Sequence, residues 1–79
     1  MTNNEKLITC FEDALNINRD IVIDSLKYQG IPQWDSIAHM SLVAKIEDQF
    51  EIMLETEEIL DMSSVLQIKK ILKKYDLKF

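Results

Sequence analysis

Hydrophobic residues recur along much of this chain at the three- and four-residue spacing of helices that bury one face. The first stripe holds Leu7, Phe11 and Leu15, and we expect its helix to follow caps at Asn3-Asn4 and to end near Asn16. A second, longer pattern predicts a helix from about Ser36 to Phe50. Its buried stripe is expected to contain Leu42, Val43, Ile46 and Phe50.

Two more helices are predicted towards the end of the chain. A short one is expected at roughly Glu57 to Asp61, with Thr56 as its cap. The last follows Ser63-Ser64, where Ser64 and Gln67 have the spacing of a capping box. Its expected buried face comprises Val65, Leu66, Ile68, Leu72 and Tyr75, with Ile71 at the edge.

Residues 16–35 show no helical period, and they contain the only glycine and the only proline, Gly30 and Pro32. A connection of this length needs anchors in so small a domain. The candidates are Ile17, Ile21, Ile23, Leu26 and Ile31. We therefore predict an all-α fold, a four-helix bundle with three longer helices and one short helix. A long ordered loop, with at most one short helical turn, should join helices 1 and 2 in a single domain over residues 1–79.

Charge and cysteine content narrow the classes of function. Nine basic and fourteen acidic residues give a net charge of −5, which argues against a nucleic-acid partner and favours partners with basic patches. The lone Cys10 offers no disulfide and suits a reducing compartment. No segment has the pattern of a signal peptide or the length of a membrane span. We expect a cytoplasmic monomer that does not insert into a membrane.

Ser36 is the candidate for chemistry because it opens the second helix, where unpaired backbone N–H groups stabilise a phosphate. From the local sequence alone, Ser36 is also a good helix cap, so this simpler interpretation stays open. A similar run, Asp24-Ser25-Leu26, is rejected because Gly30 and Pro32 would stop a helix beginning there within two turns.

The run Asp35-Ser36-Ile37, together with the helix pattern over nearly the whole chain, resembles the acyl carrier protein family, including peptidyl carrier domains. In that family an Asp-Ser-Leu-type motif opens the second helix; here isoleucine replaces the leucine. The resemblance implies that a phosphopantetheinyl transferase uses magnesium and coenzyme A to attach a 4′-phosphopantetheine arm to Ser36. It also implies that Asp35 helps to hold the metal during this transfer, that no permanent metal is bound, and that the protein is not itself an enzyme.

The implied function is to carry acyl or aminoacyl cargo as a thioester, with a cargo-loading ligase or synthase and downstream transferases as further partners. Carriers of fatty acid synthesis usually have several acidic residues in the first two turns of this helix, whereas this chain has Ala38, His39 and Ser41. That departure favours a specialised pathway over bulk fatty acid synthesis. The alternative function is an unmodified acidic helical module that binds a basic partner.

The helical wheel places an apolar patch beside Ser36, outside the buried stripe and bordered by acids. We refer to these positions as the docking patch, which comprises Ile37, Met40, Ala44, Glu47, Asp48 and Glu51. A basic, partly apolar groove on a partner would fit it. The alternative is that the long loop covers Ile37 and Met40.

Three further side chains have two interpretations each. His39 falls on the inward stripe one turn after Ser36, where it would serve either as a base for Ser36 in an esterase or as a packed core residue. The pattern has no glycine-rich oxyanion loop and no third group to orient the ring, which favours packing. Trp34 is expected to pin the loop rather than to contact the arm, and Cys10 to be buried rather than reactive.

Overall fold

A computed structural model describes residues 1–79, and its regular structure is helical. The elements in chain order are α1 (Asn3–Leu15), a 3₁₀ turn (Arg19–Ile21), α2 (Ser36–Phe50), α3 (Thr56–Leu60) and α4 (Val65–Lys73). The all-α prediction of three longer helices and one short helix is confirmed. The 3₁₀ turn is the short helical turn that was allowed within the long loop.

Two helices begin with caps other than the predicted ones. The side chain of Thr2, rather than Asn3-Asn4, caps α1 by accepting a hydrogen bond from the Glu5 backbone N–H at 3.1 Å. Thr56 is the first residue of α3 and not its cap, because Glu55 caps this helix. Thr2, Asn3 and Asn4 are all residues that cap helices well, so the local sequence does not decide among them.

The start of α4 matches the prediction in part. The Ser64 hydroxyl accepts a hydrogen bond from the Gln67 backbone N–H at 3.0 Å, as a helix cap does. The Gln67 side chain does not complete a capping box, because its amide donates to the Asp61 carboxylate at 2.8 Å. This bond ties α4 to the end of α3.

The buried core consists of apolar residues from α1, α2, α4 and the connecting segments, and the partly buried Ile59 of α3 packs against it. Phe11 and Trp34 are fully buried and meet edge to face, with 5.1 Å between ring centroids. The predicted face of α4 needs correction, since Leu66 is 43% exposed whereas Ile71 is 1% exposed. At about 100° per residue, Ile71 lies about 60° from Ile68 at one edge of the buried arc, whereas Leu66 lies about 100° from Val65 at the other edge.

The long loop is held by backbone pairing with the start of α4. The Val65 N–H donates to the Leu26 carbonyl at 3.0 Å, and the Tyr28 N–H donates to the Ser63 carbonyl at 3.0 Å. Of the predicted anchors, Ile17, Leu26 and Ile31 pack against the core.

The other two predicted anchors, Ile21 and Ile23, are 39% and 56% exposed, so this part of the prediction is wrong. Val22, which lies between them, is buried in their place. None of the helices has the length and apolarity needed to cross a membrane.

Candidate functional site

Ser36 is the first residue of α2, and its neighbour Asp35 caps the helix. Asp35 Oδ1 accepts a hydrogen bond from the Ala38 backbone N–H at 2.8 Å. The interpretation of Ser36 as the cap is therefore wrong, and its hydroxyl is not used for capping. Both residues are exposed to solvent. The site thus presents a free hydroxyl at the positive end of a 15-residue helix.

The competing serine has no such setting. Ser25 lies in a turn of the long loop, and no helix begins there. The next residue, Leu26, offers its carbonyl to the start of α4. The rejection of the Asp24-Ser25-Leu26 run, which was based on Gly30 and Pro32, agrees with the structure.

His39 connects three parts of the molecule directly behind the site. Its Nδ1 lies 2.9 Å from Trp34 Nε1, and its Nε2 lies 3.0 Å from the Ile59 carbonyl oxygen on α3. An indole N–H only donates and a carbonyl only accepts. The two contacts fit the tautomer with its proton on Nε2, and both nitrogens are engaged. Neither is free to take a proton from Ser36, so packing is the interpretation that the geometry supports.

Trp34 pins the end of the loop, as the sequence predicted. Its side chain is 0% exposed, and its ring centroid lies 6.1 Å from that of His39 with the two ring planes 21° apart. Tyr28 meets the His39 ring edge to face at 5.1 Å. The residue two positions before Ser36 is thus fixed in the core, and this fixes where α2 begins.

The apolar residues of the docking patch are open to solvent. Ile37 is 82% exposed and Met40 is 56% exposed, so the long loop does not cover them. Ala44, Asp48 and Glu51 are also exposed.

Glu47 differs from the rest of the docking patch. It is half-buried, and its Oε2 accepts a hydrogen bond from the Leu54 backbone N–H at 2.9 Å. One of its carboxylate oxygens therefore holds the connection between α2 and α3. Among the acids of the patch, Asp48 and Glu51 are the more available to a partner.

Two clefts lie beside α3. The smaller, of about 140 Å³, lies between the loop, α2 and α3 and is lined by Tyr28, His39, Ile59, Leu60, Met62 and Ser63. The larger, of about 500 Å³, is open and lies between α3 and α4, lined by Glu57, Glu58, Leu60, Asp61, Ile71 and Lys74. The smaller cleft was not predicted from the sequence. The one feature of the sequence that could have indicated it is the position of His39, a polar residue, on the apolar stripe of α2.

Cys10 is buried, as expected for a small apolar side chain. Burial raises the pKa of its thiol to about 11, and the nearby Asp13 carboxylate contributes to the increase. The thiolate is the reactive form of cysteine. Cys10 therefore belongs to the core and not to the site.

The chain contains no group of three or more His, Cys, Asp or Glu side chains that could hold a metal ion. Asp35 can offer its second carboxylate oxygen at the site, since only Oδ1 is engaged with Ala38 and the residue is exposed.

Comparisons with protein-family models, with curated proteins and with solved structures gave no match.

Proposed function

We propose that this chain is a carrier protein whose Ser36 bears a 4′-phosphopantetheine arm, which holds acyl or aminoacyl cargo as a thioester. The observation that carries the proposal is the exposed Ser36 hydroxyl at the first position of α2, left free because Asp35 caps the helix. The resemblance of the Asp35-Ser36-Ile37 run to the acyl carrier proteins supports it.

The residues at the start of α2 suit the attachment reaction. The Ser36 oxygen forms the new bond to the β-phosphorus of coenzyme A, its proton passes to a base of the transferase, and adenosine 3′,5′-bisphosphate leaves. Asp35 helps to bind the magnesium ion with a carboxylate oxygen, and the transferase supplies the remaining ligands. The helix N-terminus then stabilises the attached phosphate by about 0.3–1 kcal/mol.

The docking patch is proposed as the surface that the transferase, the cargo-loading ligase or synthase, and downstream transferases share. Ile37 and Met40 expose apolar surface directly beside Ser36. Asp48 and Glu51 border it with negative charge. An apolar groove with a basic rim complements this arrangement. The monomeric chain would work in the cytoplasm, which suits its lone reduced Cys10.

A specialised pathway fits α2 better than bulk fatty acid synthesis does. Ala38 and His39 are half-buried, so only Ser41 of the three departing positions is exposed. No carboxylate follows Ser36 on α2 until Glu47. A partner that recognises acidic residues in the first two turns of α2 would therefore meet a surface without carboxylates there.

One experiment tests the carrier function directly. The purified chain is incubated with coenzyme A, magnesium and a broad-specificity phosphopantetheinyl transferase, and its mass is measured. We expect the mass of one arm to be added to the wild type and to Ser25→Ala, the matched control, and none to Ser36→Ala. If the wild type stays unmodified, the carrier proposal fails and the alternative, an unmodified acidic interaction module, is favoured.

A further inference from the structure

The larger cleft, which we refer to as the α3–α4 groove, is held at both ends by hydrogen bonds between side chains. At one end the Gln67 amide donates to the Asp61 carboxylate at 2.8 Å, and at the other the Tyr75 hydroxyl donates to Glu58. Gln67 and Tyr75 are eight positions apart, which separates the two bonds by roughly 12 Å at the rise of an α-helix. The groove of about 500 Å³ is therefore preformed and about two helical turns long.

Leu60 gives the α3–α4 groove an exposed apolar edge. Its side chain is 81% exposed, although α3 packs on the core through the neighbouring Ile59. Ile71 of α4 also lines the groove and is 1% exposed, as expected of a residue at its base. A single exposed leucine needs no explanation by itself. Beside a groove of this size, however, it gives an apolar side chain of another protein a surface to pack against.

Two carboxylates next to Leu60 are available to a cation. Glu57 and Asp61 lie four positions apart and are exposed. They share one face of α3 with Leu60, because residues three and four positions apart are neighbours on a helix. The two ion pairs of the fold involve Glu5 and Asp24, so neither carboxylate is neutralised by an ion pair. Asp61 uses Oδ2 to accept from Gln67, which leaves Oδ1.

The other charged groups of the groove limit where a cation can lie. The Glu58 carboxylate is already engaged with the Tyr75 hydroxyl. This hydrogen bond is the main cause that lowers the pKa of Glu58, and the charge of Lys74 contributes, so Lys74 lies near Glu58. A cation is therefore favoured beside Glu57 and Asp61 and disfavoured beside Lys74.

We propose that the α3–α4 groove is a docking site for a short basic segment of another protein, which packs an apolar side chain against Leu60 and pairs a lysine or arginine with Glu57 and Asp61. Charge favours a basic segment, because residues 47–61 contain seven acids and no basic residue. The stem of a lysine or arginine packs on apolar surface while its charged end reaches a carboxylate. The inference does not rest on the proposed function, since the groove shares no residue with the docking patch.

A peptide titration followed by nuclear magnetic resonance of the full, unmodified chain tests this proposal. The probe is a synthetic peptide of about three helical turns with leucines at positions i and i+4 flanked by arginines, and its counterpart has glutamates in place of the arginines. We expect the basic probe to shift the amide signals of residues 57–61 and 71–74 until they saturate, and to shift those of residues 36–44 less. The acidic counterpart should shift neither set.

Two pairs of variants separate the groove from the docking patch. Leu60→Gln should raise the dissociation constant of the basic probe about tenfold, whereas Ile37→Gln, in an equally exposed position, should leave it unchanged. Glu57→Lys should raise it by about two- to tenfold, whereas Asp48→Lys, with the same change in net charge, should raise it by less than about twofold. If Leu60→Gln does not fold, the second pair decides.

The proposal is overturned if the basic probe shifts no groove signals, if it shifts the docking patch instead, if the acidic counterpart binds as well, or if both members of a variant pair bind equally. Groove signals that move when the chain is concentrated without a peptide would assign the groove to a second copy of this chain, which also overturns the proposal. No arm or transferase enters this experiment, so its failure is distinguishable from a failure of the carrier assay.

Discussion

At the scale of single residues, the site depends on a division of roles between two neighbours. Asp35 caps α2, and Ser36 presents its hydroxyl. The sequence predicted the position of the serine but not this division, because aspartate and serine cap helices about equally well. The partners of His39 were also beyond prediction. One of them is the Ile59 backbone carbonyl, twenty positions away. Every residue has a backbone carbonyl, so the sequence does not indicate which of them His39 contacts.

Asp35 variants separate capping from metal binding. Asparagine caps as well as aspartate, so Asp35→Asn should keep the free energy of unfolding while slowing transferase modification of Ser36, because the carboxylate charge is lost. Asp35→Ala should slow modification too and also lower the free energy of unfolding by about 0.5–2 kcal/mol. Urea unfolding and timed mass measurements check both. Wild-type modification rates in Asp35→Asn would contradict the proposed metal role.

At the scale of elements, helices were predictable and the loop was not. The 3.6-residue period predicted α2 at its observed bounds, because a helix that buries one face has apolar residues at a regular spacing in the local sequence. The face of α4 was misjudged because Leu66 was assigned to it as an apolar residue, although on the helical wheel Leu66 lies further from the buried arc than Ile71 does. The path of the loop depends on backbone hydrogen bonds from the N–H groups of Tyr28 and Val65 to carbonyls distant in sequence. Such bonds produce no periodic pattern of apolar residues, so the sequence does not predict them.

The turn that precedes Trp34 requires glycine at one position. A Cβ on Gly30 would lie 2.9 Å from the Lys27 carbonyl oxygen, which is backbone and cannot move aside cheaply. Gly30→Ala should therefore lower the free energy of unfolding by about 1–3 kcal/mol, the usual cost of overpacking. Its neighbour Gln29 has a φ of 63°, so Gln29→Gly should not destabilise the protein. Urea unfolding of both variants checks the contrast, and equal losses would contradict it.

Glu58 and Tyr75 form the pH-sensitive contact between α3 and the end of the chain. The hydrogen bond from the Tyr75 hydroxyl lowers the pKa of Glu58 below 4.5, and it raises the pKa of Tyr75 to about 12. The contribution of Glu58 to stability is thus present above pH 4.5 and lost as the pH falls through its lowered pKa. The contribution of Tyr75 is present below pH 10.0 and lost as the pH rises through about 12.

The pair can be tested by removing one charge. Glu58→Gln should return the pKa of Tyr75 towards 10.0, as measured from its ring signals in a pH titration by nuclear magnetic resonance. Glu57→Gln is the matched control, because this adjacent acid makes no hydrogen bond to Tyr75, and it should leave the value near 12. A Tyr75 titration that is the same in both variants would show that the hydrogen bond is not the cause.

At the scale of the whole molecule, charge and exposed apolar surface are distributed unevenly. Residues 47–61 contain seven acids and no basic residue: Glu47, Asp48, Glu51, Glu55, Glu57, Glu58 and Asp61. Five of the eight lysines lie on α4 or after it. A basic partner would therefore be steered towards the side that carries α2 and α3, and association should slow as salt screens the attraction.

Ile37→Asp tests whether the docking patch is used. Ile37 is 82% exposed, so the substitution should change the free energy of unfolding by less than about 0.5 kcal/mol. The kcat/KM of transferase modification should nevertheless fall by about tenfold or more, because a charge replaces the exposed anchor beside Ser36. Leu66→Asp, on the exposed side of α4, is the control, and the transferase should modify Ser36 of this variant at the wild-type rate. Equal effects of the two substitutions would contradict the patch.

The burial of Trp34 gives the protein an intrinsic optical reporter. It is the single tryptophan, it is 0% exposed, and its indole N–H is bonded to a ring one turn along α2 from Ser36. Fluorescence emission of an indole depends on the polarity and hydrogen bonding around it. Attachment of a group at the neighbouring serine, or seating of another protein there, can accordingly be followed in real time by a shift in emission wavelength, without a dye.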